Sequence, residues 1–435
     1  MINEYHFHNA FWQDIKSFET TDPHLAELKN LHFVHPLNWW NGIDWSAPGI
    51  FILTGGRQIG KSTSTKLLIQ DCLKKKRFQP SQIFYLPCDQ IDDHHHLTRV
   101  IKLFLESINA DPFLLVLDEI TYVTEWDRGI KALADEGRFR NGFCLITGSD
   151  TALLKRASSR FPGRRGNADK TDFHLYPLNF REYLELTNPV LNEAKTLPKL
   201  LKSFNDYLVC GGFLRAVNEF HAQGQINKAT FLTFEQWIRG DFEKQGKSTR
   251  NLMQIISSIF QTTTSQMTYS RLTEKVGEIS KDTVIDYCHL LQRMDIITIL
   301  EAFDQNTRRG FNKKARKFLF ADPFITGVIE SWLIRERFIS TPLADSVKVE
   351  SAVSANIARR YPAYYIKADG EVDLVFIEDR LFFPVEIKWT NQLRGNDIKQ
   401  IKKYKGAVII TKDLEPGMID GIPTQPVPEF LLSRL

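Results

Sequence analysis

Three runs of consecutive apolar residues mark the first half of the chain: Ile50-Phe51-Ile52-Leu53, Phe113-Leu114-Leu115-Val116-Leu117 and Phe143-Cys144-Leu145-Ile146. Apolar runs without alternation predict strands buried on both faces, as in a parallel sheet covered by helices. Gln82-Ile83-Phe84-Tyr85-Leu86 adds a strand between the first two in sequence. From Asn251 the pattern changes. Leu252, Ile255, Ile256 and Ile259 recur at helical spacing, and Ser280 is placed to cap a later helix over residues 281–291. Two β-rich stretches, residues 296–303 and 316–321, flank a polar tip at residues 305–312. Helix, helix, turn, helix and a two-stranded wing is a winged-helix order. Beyond it the pattern predicts a helix from Lys348, two short strands within residues 371–390, a helix over 394–404 and a strand over 407–411.

The first apolar strand runs into Gly55-Gly56-Arg57-Gln58-Ile59-Gly60-Lys61-Ser62-Thr63 and then into a helix through Leu67 and Leu68. This is the phosphate-binding G-x-x-x-x-G-K-[ST] pattern in its strand, loop, helix setting. Glycines let the loop turn its backbone N–H groups toward phosphates, and the helix N-terminus adds partial positive charge. Lys61 would contact the β and γ phosphates, and Ser62 would ligate Mg²⁺. The second apolar run ends in Asp118 and Glu119. Asp118 would hold Mg²⁺ through water, and Glu119 would act as general base on the attacking water. The third run ends in Thr147, Gly148 and Ser149; Thr147 or Ser149 would sense the γ-phosphate, or both are turn residues.

A second candidate centre lies near the end of the chain, in EVDLVFIEDRLFFPVEIKWT, residues 371–390. Residues two apart on a strand share a face, so Glu386 projects with Lys388, and Glu371 with Asp373. If the strands pair, Asp373 and Glu386 would hold a divalent cation and Lys388 would steady a water or a developing phosphate charge. The same alternation also describes the wet face of a charged hairpin.

Composition narrows the picture modestly. At 435 residues the chain exceeds a usual single core, and 43% hydrophobic with 25% charged residues is ordinary for a globular protein. The five cysteines form no C-x-x-C pair, which suits buried thiols in a reducing compartment. No apolar stretch approaches a membrane span and the first residues are no leader, so a cytoplasmic, membrane-free protein is expected. His94-His95-His96 cannot all face one point and reads as a polar helix start. Trp39, Trp40 and Trp45 read as an N-terminal collar against the core. Charge is unevenly spread: residues 246–320 hold twelve Lys and Arg against seven Asp and Glu, a net +5, whereas the whole chain carries +4. Arg308, Arg309, Lys313, Lys314, Arg316 and Lys317 crowd around the wing. Such a patch attracts DNA phosphates at low salt, although basic wings are also found solvated or in protein contacts.

The extra strand, together with an acid after the metal aspartate, resembles the additional-strand, catalytic-glutamate division of P-loop ATPases that includes the AAA+ proteins. More specifically, TGGRQIGKST, LVLDEI, ITGS, the PGRRG loop, LYPLNFREYL and YLVCGGFLRAV resemble a large prokaryotic family of AAA+-like ATPases. In that family the ATPase is followed by a winged helix and a restriction-endonuclease-like domain. The resemblance covers about residues 46–435 and implies ATP as the nucleotide, with Mg²⁺. It implies for Arg164 an arginine that reaches a nucleotide, in its own site or, in a homo-oligomer, in a neighbour's. Arg215 takes the place of a second sensor arginine in the lid, or is a surface residue on a helix. Leu214 stands where the family commonly carries proline, a departure that bears on the local turn. In the terminal segment, Glu350, Asp373 and Glu386-x-Lys388 complete a PD-(D/E)xK nuclease pattern.

The expected fold class is therefore α/β: a P-loop ATPase with a parallel sheet and helical lid, then a winged helix, then a restriction-endonuclease-like αβ domain. The expected segments are a collar at 1–45, the ATPase core at 46–178, the lid at 179–245, the winged helix at 246–325 and the nuclease-like domain at 326–435. The expected function is an ATP-binding and ATP-hydrolysing enzyme associated with DNA, with Mg²⁺-dependent DNA cleavage or remodelling through the terminal domain. The alternative is a nucleotide-dependent signalling or assembly switch whose nuclease-like domain is inactive.

Overall fold

The computed structural model describes residues 2–108, 111–148, 154, 161, 163–188, 196–390, 398–412 and 416–435. Ser149, residues 158–160 and 162 of the 158–166 loop and the first part of the expected 394–404 helix lie outside the described residues; Ile401–Lys403 is a short 3₁₀ turn. Contacts divide the chain into two compact units, Met1–Tyr176 and Pro177–Leu435.

Unit 1 is built on five parallel strands: β1 (Gly49–Gly55), β2 (Ile83–Pro87), β3 (Phe113–Asp118), β4 (Gly142–Thr147) and β5 (Asp172–Leu175). Their order is β2-β3-β4-β1-β5. β1, β3 and β4 are buried throughout, which is why their sequences are continuous apolar runs. The strand inserted between the loop-bearing β1 and the acid-bearing β3 is β4, whereas β2 lies at the edge. Helices α3 (Lys61–Lys74), α4 (His94–Ser107) and α5 (Trp126–Asp135) belong to this unit. Asp93 caps α4 by accepting from His95 and His96 N–H, so the histidine run opens a helix. Two short N-terminal helices, α1 (Ile15–Thr21) and α2 (Pro23–Leu28), precede the sheet. Trp39 and Trp40 donate their indole N–H to Ser64 and Asp71 of α3, and Trp45 packs against Phe143.

Unit 2 contains a nine-stranded sheet in the order β13-β14-β12-β11-β10-β9-β7-β8-β6. Its strands are β6 (Gln266–Met267), β7 (Ile297–Asp304), β8 (Arg309–Phe320), β9 (Ala363–Lys367), β10 (Glu371–Glu378), β11 (Leu381–Lys388), β12 (Val408–Thr411), β13 (Gly417–Ile419) and β14 (Ile422–Pro426). The helices Thr249–Gln261, Tyr269–Val276 and Lys281–Arg293 precede the β7–β8 hairpin. Ser280 caps the last of them, its hydroxyl accepting from Thr283 N–H at 3.1 Å. β8 starts at Arg309, earlier than the sequence pattern suggests, so residues 309–312 of the expected tip lie on a strand, with Lys313 and Lys314 following on it. β7 pairs in parallel with β9, at Glu301 with Tyr364 and Ala302 with Tyr365. The hairpin therefore belongs to the same sheet as the terminal strands. Among the described residues no helix is long and apolar enough to cross a membrane, and all five cysteines are buried free thiols.

Candidate functional site

The phosphate loop joins β1 to α3, and its backbone takes shapes that few residues adopt: Gly55, Gln58 and Gly60 have φ of 149°, 60° and 90°. At Gly55 an added Cβ would also sit 2.7 Å from the Leu175 carbonyl oxygen. Gly60 is the N-cap of α3 and supplies no side-chain cap. The first-turn N–H groups of a fourteen-residue helix are thus left without a side-chain cap, the arrangement that receives an anion. The buried Lys61 ammonium donates to the Gly55 and Gly56 carbonyls at 3.0 and 2.9 Å, folding back over the loop it would leave to meet phosphate.

β3 delivers the acids. Asp118 is buried, with Tyr85 donating its hydroxyl to Oδ2 at 2.5 Å and Thr147 donating its own to Oδ1. Glu119 follows with φ 53° and ψ 43°, a left-handed turn that ends the strand and separates its direction from that of Asp118. Its backbone N–H donates to Thr147 Oγ1 at 3.2 Å. Thr147 is therefore fastened to Asp118 and Glu119, the two acids beside which a γ-phosphate would lie.

A cavity of about 330 Å³ collects Arg57, Ser62, Asp118 and Glu119 with Tyr85, Lys66, His8, Asp22 and His24. The last five are contributions that sequence reading missed. Lys66, 2% exposed, forms an ion pair with Asp22 at 3.1 Å, donates to the His8 carbonyl at 3.1 Å and lies 3.3 Å from the Tyr85 ring centroid. Burial lowers its pKa against the opposing pull of Asp22. The available signal was Asp22-Pro23, a strong helix start that places an acid in a fixed position, but nothing local says which cation it meets.

Arg164 lies elsewhere. It pairs with Asp135 and lines a separate cavity of about 690 Å³ with Ser46, Pro48 and Gly49. Gly49 and Gly55 are opposite ends of β1, about 20 Å apart at strand rise, so Arg164 does not serve its own phosphate loop. Arg165 is engaged by Asp172 and the Thr171 carbonyl. Arg215, in unit 2, pairs with Glu219 one turn along its helix.

In unit 2 the terminal acids do converge. The helix Asp345–Arg360 brings Glu350, β10 brings Glu371 and Asp373, and β11 brings Glu386 and Lys388. Their cation is a surprise to the sequence reading. Lys317 of β8, expected on a DNA-binding surface, is 1% exposed; its Nζ stands 2.7 Å from Glu350, 2.5 Å from Glu371 and 3.5 Å from Asp373. Lys317 must therefore be removed from the expected DNA-contacting set. Burial alone would lower its pKa, but Glu350, Asp373 and Glu371 hold it well above the lysine range. Arg316 is half-buried, its guanidinium 4.4 Å from the Tyr269 ring. Arg308 donates to the Arg380 carbonyl at 2.7 Å, while Arg309, Lys313 and Lys314 are exposed.

The expected Mg²⁺ at Asp373 and Glu386 does not fit this geometry. Asp373 Oδ2 accepts the Ile387 N–H at 2.9 Å, its Oδ1 faces Lys317, and Glu386 Oε1 is 2.8 Å from Lys388 Nζ. Among the four carboxylate oxygens of Asp373 and Glu386, Glu386 Oε2 is the one buried without a hydrogen-bond partner. Mg²⁺ is usually held by one or two carboxylates with waters completing its octahedron, and here three of the four oxygens of that carboxylate pair are already engaged by Lys317, Lys388 and the Ile387 N–H. Burial and the Asp373 charge push the Glu386 and Glu350 carboxyls above the ordinary range.

The order β2-β3-β4-β1-β5, the phosphate loop after β1 and adjoining acids at the end of β3 define unit 1 as a P-loop ATPase domain of the AAA+-like kind. A family model described as an AAA domain matches residues 47–184, and one for a domain of unknown function matches residues 201–332. Two uncharacterized proteins of Methanocaldococcus jannaschii are similar. One is 24% identical over 271 residues, 60% of this chain and 58% of the relative; the other is 29% identical over 150 residues, 33% and 29%. The chain thus spans well under two thirds of the curated relatives it matches. Among solved structures, the Walker-type ATPase of Pyrococcus abyssi is 14% identical, covering 64% of this chain and 90% of its own, at a TM-score of 0.43. The Aeropyrum pernix ORC2 protein is 12% identical, covering 70% and 93%, at a TM-score of 0.40. Likeness at this level carries no part of the argument below.

Proposed function

We propose that the chain is an ATP-hydrolysing enzyme whose second unit contacts DNA. The observation that carries the catalytic part is the convergence of Arg57, Ser62, Asp118 and Glu119 on one cavity beside an uncapped helix N-terminus. In this reading residues 55–63 wrap the phosphates and Lys61 moves from the loop carbonyls to the β and γ phosphates. Ser62 and Asp118 hold Mg²⁺, which when bound neutralises phosphate charge. Glu119 takes the proton of the attacking water, and Thr147 keeps both acids in register. Arg164 then acts on nucleotide only from a neighbouring copy, in a homo-oligomer.

The DNA part rests on the helices before the β7–β8 hairpin, read as a winged helix, and on Arg308, Arg309, Lys313, Lys314 and Arg316 around it. Cleavage at Asp373, Glu386 and Lys388 is left out of this reading because Lys317 occupies the centre of the acids. The test is ATP turnover with and without duplex DNA across a salt series, with Glu119→Gln as control. Expected are DNA binding that weakens steeply with salt, DNA-stimulated phosphate release, and a loss of roughly 10²–10⁴ in kcat for Glu119→Gln with nucleotide binding retained. Turnover indifferent to DNA, with no salt-dependent binding, would overturn the DNA part and leave the ATPase part standing.

A further inference from the structure

The terminal acids sit where a nuclease-like pattern leads one to look for a metal, so the identity of their cation decides what the centre is. Glu350, Glu371 and Asp373 come from a helix and a strand of the terminal segment, whereas Lys317 comes from β8, the strand that also carries the exposed Arg309, Lys313 and Lys314. Its ammonium lies within 2.7 Å of two carboxylates and 3.5 Å of a third, and 3.4 Å from the Asp373 carbonyl oxygen. Gln266 of β6 donates to the other oxygen of Glu371. An ammonium this deeply buried is held in place by its partners, since removing it leaves several like charges together in low dielectric. Of the oxygens a divalent ion would use, Asp373 Oδ1 faces Lys317, Asp373 Oδ2 accepts the Ile387 N–H and Glu386 Oε1 faces Lys388, while Glu386 Oε2 is buried without a hydrogen-bond partner.

We propose that Lys317 is the resident cation of this cluster: β8 supplies an ammonium in the place of a divalent metal, making the centre an electrostatic lock between hairpin and terminal strands. Unit 2 accordingly performs no metal-dependent phosphodiester cleavage and needs no divalent ion to keep its shape. The statement about metal is independent of whether the protein hydrolyses ATP or contacts DNA.

The experiment is titration of nucleotide-free full-length protein with Mn²⁺, free ion being read by electron paramagnetic resonance. Wild type and Asp373→Asn should bind the same number of ions. Lys317→Met should gain one site per chain, and the added Asp373→Asn change should abolish it. Wild type holding one ion more than Asp373→Asn overturns the proposal, and so does a folded Lys317→Met protein that gains none. If Lys317→Met does not fold, Lys317→Met with Glu371→Gln, which lowers the uncompensated charge, serves in its place, and the wild-type comparison decides without either.

Discussion

Burying an ammonium is costly, and unit 1 does so at Lys66, one turn beyond the phosphate loop. What compensates is Asp22 at 3.1 Å, the His8 carbonyl and the Tyr85 ring, so the N-terminal residues are joined to α3 by one side chain. Removing one partner of such a pair strands the other charge. Lys66→Met should destabilise unit 1 by about 3–5 kcal/mol in urea unfolding, and adding Asp22→Asn should recover most of that loss. Tyr85 acts one step further in, through its hydroxyl on Asp118. Tyr85→Phe removes one charge-assisted hydrogen bond, worth about 1.5 kcal/mol, and should raise the Mg²⁺ concentration for half-maximal ATP turnover roughly tenfold while Mg²⁺-free nucleotide binding is kept. Little of this was legible in the sequence. The loop and its acids are local patterns, fixed by glycine backbone freedom and by strand ends, whereas the Asp22–Lys66 contact joins residues in different elements and leaves no periodic trace.

At the scale of elements, the junction Gly211-Gly212 shows how sequence and packing meet. Gly211 has φ 59°, and a Cβ on Gly212 would stand 2.1 Å from the Leu178 carbonyl oxygen. The Gly212 N–H donates to buried Asp322 at 3.0 Å, and Arg359 donates to the Pro177 and Ala321 carbonyls at 2.8 and 2.6 Å. Leu214 is the first residue of the next helix, a position where proline's fixed φ is also accepted, which accounts for the departure from the family pattern. Gly212→Ala should cost unit 2 about 1–3 kcal/mol or more in denaturant unfolding, because the clash is with backbone. Gly240→Ala, inside the helix Lys228–Lys244 with nothing within 4 Å of the new Cβ, should instead stabilise by about 0.5–1 kcal/mol. The apolar runs of β1, β3 and β4 were readable because both faces are buried. β8 was not: its first half is exposed and its last four residues, Lys317 included, are buried without alternation, so a charge count treated one strand as one surface. Lys317 preceding Phe318-Leu319-Phe320 was the available hint.

For the molecule as a whole, the consequence is where unit 2 can be divided. A boundary near residue 325 is natural to a reading by motifs, since it separates a winged-helix pattern from a nuclease-like one. The bonds across it argue for one cooperative body. β7 pairs with β9, Tyr365 donates its hydroxyl to the Ala315 carbonyl at 2.6 Å, Ser351 donates to the Phe320 carbonyl at 3.1 Å, and Lys317 answers the terminal acids. Cutting there would expose the β7 edge, leave Lys317 buried without its acids or solvated at the expense of packing, and strip Asp322 of Arg359. A fragment of residues 177–325 should therefore lack a cooperative unfolding transition, whereas residues 177–435 should unfold in a single one, followed by circular dichroism in urea. A folded, cooperative 177–325 fragment would mean that the hairpin carries its own core and that the shared sheet is a docking contact between separable domains.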